Sequence, residues 1–304
     1  MLKEKDASAI VSRCVKALSA LTPAEEKMLP AVDAPLPSVA ELQYFVDLSK
    51  RIIFHGFFDE RKVNEEVRSY SIGVNLEQIL LVLKKQIARA LLYKYEEANH
   101  EKVKEEAARL ALQFADCIPE IKRVLFTDVE AMFENDPAVD NIGEVVFSYP
   151  VVQAMLSYRL AHQLLLMGVP VIPRIITEQA HSRTGIDIHP GATIGDHFSI
   201  DHGTGVVIGE TTIIGSHVAL YQGVTLGAKS FKYDAEGNML NIPRHPIIED
   251  RVTIYSNASV LGRITIGHDS VIGGNIWLTH DVPPGSRILQ SKAVDVSFQG
   301  GLGI

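Results

Sequence analysis

Two histidines stand where this chain interrupts its own pattern. His202 lies in Asp201-His202-Gly203-Thr204-Gly205, with Asp201 beside it and Asp187 fifteen residues earlier. A carboxylate that holds one imidazole nitrogen fixes the ring's tautomer and raises the basicity of the other nitrogen. That is the arrangement needed to take a proton from an alcohol. The same pair can also be a structural hydrogen bond, and residue types alone leave both uses open. His245 sits in Arg244-His245-Pro246. It is a candidate second acid/base, a proton-positioning group or a loop anchor, while arginine's planar fork suits a substrate carboxylate. Metal binding is the competing use of clustered histidines. His189, His202 and His245 lack the short His-x-x-x-His spacing of zinc ligands, so only a subunit interface could gather them, and no metal is expected. His181, His197, His217, His268 and His280 read as ordinary surface residues.

The elements that must position these residues follow from a period of six. Aliphatic residues fall at Ile188, Ile194, Ile200 and Val206, then at Ile208, Ile214, Leu220 and Leu226, then from Ile248 through Ile254, Val260, Ile266 and Ile272 to Leu278. A helix repeats at 3.6 residues and a strand at two, so six fits neither. It fits a β-solenoid in which each hexad is one short strand plus a corner and three hexads make a triangular coil. Gly, Asn and Asp turn the corners. The pattern breaks twice, at 201–205 and between Leu226 and Ile248. The second break holds Phe231-Lys232-Tyr233-Asp234-Ala235-Glu236-Gly237-Asn238, too polar for a core, and reads as an ejected loop returning at Arg244. Loops on a rigid scaffold are where chemistry concentrates. Each break delivers one of the two histidines. On a coil of about eighteen residues, three hexads, Asp187 falls near His202 one coil away.

The first 177 residues read as helical. Leu76, Leu80, Leu83, Ile87 and Leu91 form one apolar stripe, Leu42, Phe45, Leu48 and Ile52 another, and Val151 to Met167 is a further amphipathic segment ending at Gly168. Glu101 to Phe114 is charged, with a sparse apolar face. The spacing predicts an α-helical domain over 1–177, a solenoid over 178–290 with the switch near 178–186, and a mobile tail over 291–304. A net charge of −8 over 304 residues argues against a nucleic-acid partner. No aliphatic run is long enough to span a membrane, and Met1-Leu2-Lys3-Glu4-Lys5-Asp6 is not a signal sequence, so a cytoplasmic protein is expected. Cys14 and Cys117, the two cysteines, read as reduced.

At these residues the chain resembles the serine O-acetyltransferases of the hexapeptide-repeat acyltransferase superfamily. The matching stretches are Asp136-Pro137-Ala138-Val139-Asp140, Ile186-Asp187-Ile188-His189-Pro190, Ile200 through Glu210, Val224-Thr225-Leu226-Gly227 and Arg244-His245-Pro246. The resemblance runs from about 130 to 285. It implies an N-terminal α-helical domain followed by a left-handed parallel β-helix, assembled as a trimer or dimer of trimers with sites between neighbours. Position by position, it implies His202 as the general base on the serine hydroxyl, Asp187 orienting it and His245 as second catalytic histidine. Arg244 would bind the serine carboxylate and Asp136 and Asp201 the amino group. Backbone N–H groups near Gly227 and Ala228 would meet the oxyanion of the acetyl-CoA thioester. It further implies L-cysteine as feedback inhibitor and docking of a C-terminal Gly303-Ile304 into O-acetylserine sulfhydrylase.

The chain departs from the family in two places. Ala228-Lys229-Ser230 and a longer loop replace a glycine-rich stretch, and Ile288-Leu289-Gln290-Ser291-Lys292-Ala293 replaces a small-Gly-x-Pro-Ala turn. The competing expectations are an acyltransferase for another hydroxyl, such as homoserine or a sugar, and a non-catalytic solenoid scaffold.

Overall fold

The computed structural model describes residues 4–30, 34–58, 65–95 and 99–291. The expected 291–304 tail, with Gly303 and Ile304, lies outside them except for its first residue. The helical part contains α1 (Glu4–Ser19), α2 (Pro23–Glu26), α3 (Val39–Ile53), α4 (Glu65–Lys94), α5 (His100–Asn135), α6 (Ile142–Ser148), α7 (Pro150–Leu166) and α8 (Ile172–Thr184). Leu42, Phe45, Leu48 and Ile52 are the buried face of α3. On α4 the buried face is Ile79, Leu83, Ile87 and Leu91, while Leu76 and Leu80 pack at its edge. The charged Glu101–Phe114 segment proves to be the start of a 36-residue helix that continues through Pro119. Proline removes a backbone hydrogen bond and crowds the preceding turn. Burial of Phe114, Ile118, Ile121 and Leu125 on both sides keeps the helix whole. Helix α8 crosses position 177 and ends at Gly185, so the change of architecture falls at the far end of the 178–186 window.

The solenoid follows as five coils. Their strands are β1 (Asp187–Ile188), β2 (Thr193–Ile194) and β3 (Ser199–Asp201), then β4 (Val207–Ile208), β5 (Ile213–Ile214) and β6 (Ala219–Tyr221). The third coil has β7 (Thr225–Gly227), β8 (Ile247–Ile248) and β9 (Thr253–Ile254), and the fourth has β10 (Ser259–Leu261), β11 (Thr265–Ile266) and β12 (Val271–Ile272). The last has β13 (Trp277–Leu278), a bridge of Val282 to Ile266, and β14 (Arg287–Ile288). All strand pairs are parallel, giving three faces: β1-β4-β7-β10-β13 (face A), β2-β5-β8-β11 (face B) and β3-β6-β9-β12-β14 (face C).

The hexad residues stack in register. Ile188, Ile208, Leu226, Val260 and Leu278 line face A, Ile194, Ile214, Ile248 and Ile266 line face B, and Ile200, Leu220, Ile254, Ile272 and Ile288 line face C. All but Ile288 are buried. Coils that pair Val207 with Thr225 and Ser259 with Trp277 advance by eighteen residues. The coil from Asp187 to Val207 takes twenty and the one from Thr225 to Ser259 takes thirty-four. The surplus two residues place Val206 in a corner, so Ile208 is the wall residue above Ile188.

A buried ion pair welds the helices to the first coil. Arg159 of α7 donates from Nε and Nη2 to Asp128 of α5 at 2.6 and 2.8 Å. Asp128 also accepts from the Phe198 N–H at 3.1 Å, and Arg159 donates to the carbonyls of Ile194 and Gly195 at 3.2 and 2.7 Å. Removing one partner of such a pair costs about 3–5 kcal/mol, because the other charge is left buried and unpaired. The weld fixes the end of α5, and with it Asp136, against the first coil.

Candidate active site

The first break in the repeat is the vertex between faces C and A. Asp201 closes β3, and His202 turns the corner in the left-handed region, φ 58°, with its side chain 71% exposed. Its Nδ1 lies 3.7 Å from Asp201 Oδ1. The next residue has to be glycine, since a Cβ at Gly203 would stand 2.6 Å from Ile186 Cδ1 and φ is 85°. The corner is tied to the coils on either side: Gly205 N–H donates to the Gly185 carbonyl at 2.9 Å and Gly223 N–H to the Thr204 carbonyl at 3.0 Å. An exposed histidine head therefore sits on a backbone tied to both neighbouring coils.

Asp136 faces this corner from the end of α5. Its Oδ1 accepts from the Ala138 N–H at 2.9 Å and its Oδ2 accepts from the Tyr149 hydroxyl. These bonds, Tyr149 first, hold its carboxyl below the usual carboxylate range, with a smaller contribution from His202. The same bond pushes the Tyr149 hydroxyl up to about 12, so it remains a donor at neutral pH. Asp136, Ser148, Tyr149, Asp201, His202 and Thr204 enclose an open pocket of about 470 Å³.

The second break is the vertex between faces A and B, and its chemistry differs. His245 is only 7% exposed, and its ring packs against Gly209, where a Cβ would come within 2.0 Å of Cδ2. Its Nδ1 is 3.1 Å from the Thr211 N and 2.9 Å from Thr211 Oγ1. Burial, helped by the neighbouring Arg244 charge and opposed by Glu210, pushes the imidazole pKa down to about 4. Arg244 Nη2 donates to Glu210 Oε2 at 2.5 Å. Arg263 Nη1 braces the turn, donating to the carbonyls of Thr211 at 2.6 Å and His245 at 3.0 Å. Gly227 ends β7 in register with Leu261, and among the described residues the Ala228 N–H just beyond makes no hydrogen bond. Beside it the ejected loop roofs a cavity of about 220 Å³ lined by Lys229, Phe231, Arg244, Arg263 and Thr279 among others.

Within one chain the sequence-expected residues therefore form two groups. Asp136, Asp201 and His202 gather at the C–A vertex; Arg244, His245, Gly227 and Ala228 gather at the A–B vertex, across the width of face A. Asp187 opens β1 at the C–A vertex one coil below His202, in register with Val207. Among the described residues no hydrogen bond or ion pair joins it to His202. Its carboxylate instead lies within 4.8 Å of ligand atoms of Glu178 and His181. Of the histidines read as surface residues, His197 departs: its Nε2 is 2.8 Å from Glu134, and its ring packs on His217 at 4.2 Å.

Comparison with known proteins fits this geometry. No protein-family model matches the chain. A plasmid-encoded serine acetyltransferase of Synechococcus elongatus is 45% identical over 276 residues, covering 89% of this chain and 86% of that protein. The chain belongs to the serine acetyltransferase family. The match reaches well beyond 130–285 into the helical domain. The Helicobacter pylori serine acetyltransferase is 44% identical over 169 residues, 56% of this chain and 94% of that one. Among solved structures, serine acetyltransferase 1 of Entamoeba histolytica in complex with L-cysteine superposes with a TM-score of 0.69 at 36% identity, covering 80% of this chain and 86% of that one. The Neisseria gonorrhoeae serine acetyltransferase in complex with serine gives 0.53 at 25% identity, covering 84% and 96%.

Sequence reasoning did not assign Tyr149, Gly209, Glu210 and Thr211. Tyr149 meets Asp136 across thirteen residues, and Thr211 and Glu210 meet His245 and Arg244 across thirty-four. Gly209 and Glu210 fall in the quoted Ile200–Glu210 block, but only the close approach of the ring to Gly209 shows what the glycine is for.

Proposed function

We infer that this protein is a serine O-acetyltransferase, transferring acetyl from acetyl-CoA to the L-serine hydroxyl to give O-acetylserine. The observation that carries the reading is the C–A pocket, where an exposed imidazole and two carboxylates face one space large enough for an amino acid. In this reading Asp136 and Asp201 take the ammonium group, and Arg244 takes the carboxylate. His202 removes the hydroxyl proton and Asp187 orients it from the coil below. The serine oxygen attacks the thioester carbonyl, and backbone N–H groups at Gly227 and Ala228 stabilise the tetrahedral oxyanion. The C–S bond breaks and CoA leaves as its thiol, taking up the proton held by His202.

The placement of His202 and His245 on opposite edges of face A supports a site assembled between prisms. The A–B vertex of one copy would meet the C–A vertex of the next, giving a homotrimer, or a dimer of trimers through the helical domain. L-Cysteine, with the same ammonium and carboxylate as serine, would compete in the same pocket. The C-terminal Gly303-Ile304 would dock into O-acetylserine sulfhydrylase. Deleting Ile304 should weaken that complex in titration calorimetry, and unchanged affinity removes the claim.

The deciding experiment is thiol release from acetyl-CoA with and without L-serine. Serine-dependent release is expected. Release driven only by homoserine or a sugar would reassign the hydroxyl substrate, and no acetyl-CoA binding would leave a scaffold.

A further inference from the structure

The hydrogen bonds around His245 determine which of its nitrogens carries the proton. A backbone N–H can only donate, so the Thr211 N–H, with its N 3.1 Å from Nδ1, requires a bare, accepting nitrogen there. The Thr211 hydroxyl is equally constrained. Its oxygen accepts from the backbone N–H groups of Arg244 at 2.8 Å and His245 at 3.1 Å, which occupies both lone pairs. Its own hydrogen is left to donate to Nδ1, 2.9 Å away. An imidazolium or an Nδ1–H tautomer would set a hydrogen against both donors.

The proton of the neutral ring is thereby placed on Nε2. Among the described residues that atom has no hydrogen-bond partner, and it is not fully enclosed where it lies beside Gly209. Burial and the nearby Arg244 charge, which bring the ring's pKa to about 4, keep it from gaining a second proton at neutral pH.

We propose that Thr211 is a positioning residue that locks His245 as a neutral Nε2–H donor, so that His245 gives a hydrogen bond to an anionic oxygen of the bound substrates and does not act as a base. The role rests on the acetyltransferase reading above, in which His245 faces the substrates; the tautomer does not. The two histidines then divide the work: His202 accepts the proton and His245 holds charge.

The test uses the full chain labelled with 15N-histidine, the His245 signals being identified by their loss in His245→Asn. Two-bond 15N–1H spectra at pH 7 should show a bare Nδ1 and a protonated Nε2. A protonated Nδ1, or a charged ring at pH 7, overturns the proposal. In parallel, Thr211→Ser keeps the hydroxyl and should stay within about threefold of wild-type kcat/KM for serine, while Thr211→Val should lose roughly tenfold or more at unchanged oligomer mass. Wild-type kcat/KM in Thr211→Val also overturns it. Should Thr211→Val not fold, the wild-type spectrum and the serine variant still decide. A wild-type protein with no serine acetylation would remove the functional reading and leave the measured tautomer standing.

Discussion

The two vertices that interrupt the solenoid carry a histidine each and treat it in opposite ways. At the C–A vertex two extra residues tighten the corner into a left-handed turn, and His202 points outward with Asp201 beyond hydrogen-bond range at 3.7 Å. At the A–B vertex an excursion of some twenty residues returns to press His245 onto Gly209 and bind it to Thr211. Exposure leaves the first ring able to exchange protons with a substrate and solvent. Enclosure fixes the second in one protonation state. A short insertion in a rigid coil presents a side chain, whereas a long one can fold back and bury one. In the proposed reaction this difference would give proton transfer to His202 and charge stabilisation to His245.

The comparison breaks most directly at His202. His202→Ala should lower kcat by about 10³-fold or more, with the particle mass in solution and the unfolding midpoint unchanged, since the loss of a general base is of that order and the side chain supports no packing. Near-normal turnover would remove the assignment. The counterpart at the other vertex is Gly209→Ala. The added methyl would stand 2.0 Å from Cδ2 and 2.2 Å from Nε2 of the His245 ring, so the ring must leave its seat. A loss on the order of 10²-fold in kcat/KM is expected, read in the same thiol-release assay. An active Gly209→Ala would show that His245 need not lie where the chain places it.

A smaller effect separates binding from chemistry. Arg244 is held by Glu210 at 2.5 Å, which aims its guanidinium along the vertex. Arg244→Lys keeps the charge and loses the planar fork, so KM for serine should rise roughly tenfold with kcat nearly unchanged. A fall in kcat at constant KM would place Arg244 on the reacting atoms instead.

How much of this was legible beforehand differs between scaffold and site. The hexad period predicts the wall strands from Ile188 to Leu278, because each aliphatic residue answers to a neighbour one coil away, a local and repeated constraint; it stops short of Ile288 in β14, which pairs with Ile272. It misassigned only Val206, where a two-residue surplus shifts the register. The helical stripes were equally readable in α3, and less so in α5, where the sparse apolar face of 101–114 showed only the start of a helix that packing carries through Pro119. The breaks pointed to His202 and His245, but not to their partners. Tyr149, Glu210 and Thr211 act through contacts that depend on how coils and helices stack, and no local spacing encodes those. Asp187 shows the converse: coil arithmetic put it at the right vertex, yet α8 brings Glu178 and His181 to its carboxylate, and the helix–solenoid junction is what decides that contact.

The smallest test of the two-vertex contrast reads protonation through stability. A free histidine titrates near 6.5, and in the folded chain burial first, then Arg244, His189 and Arg263, opposed by Glu210, push the His245 imidazole down to about 4. As pH falls below about 6.5 the unfolded chain takes up this proton while the folded chain does not, so acid favours unfolding. The stabilisation is full above about 6.5, declines between 6.5 and 4, and is gone below 4. Because one edge of the ring reaches solvent, about 2 kcal/mol is expected from this group. Guanidinium unfolding of the wild type and of His245→Asn between pH 7 and 4.5 isolates it, the variant showing the shallower loss. Equal slopes for the wild type and His245→Asn would mean that the two vertices do not differ in the way their geometry requires.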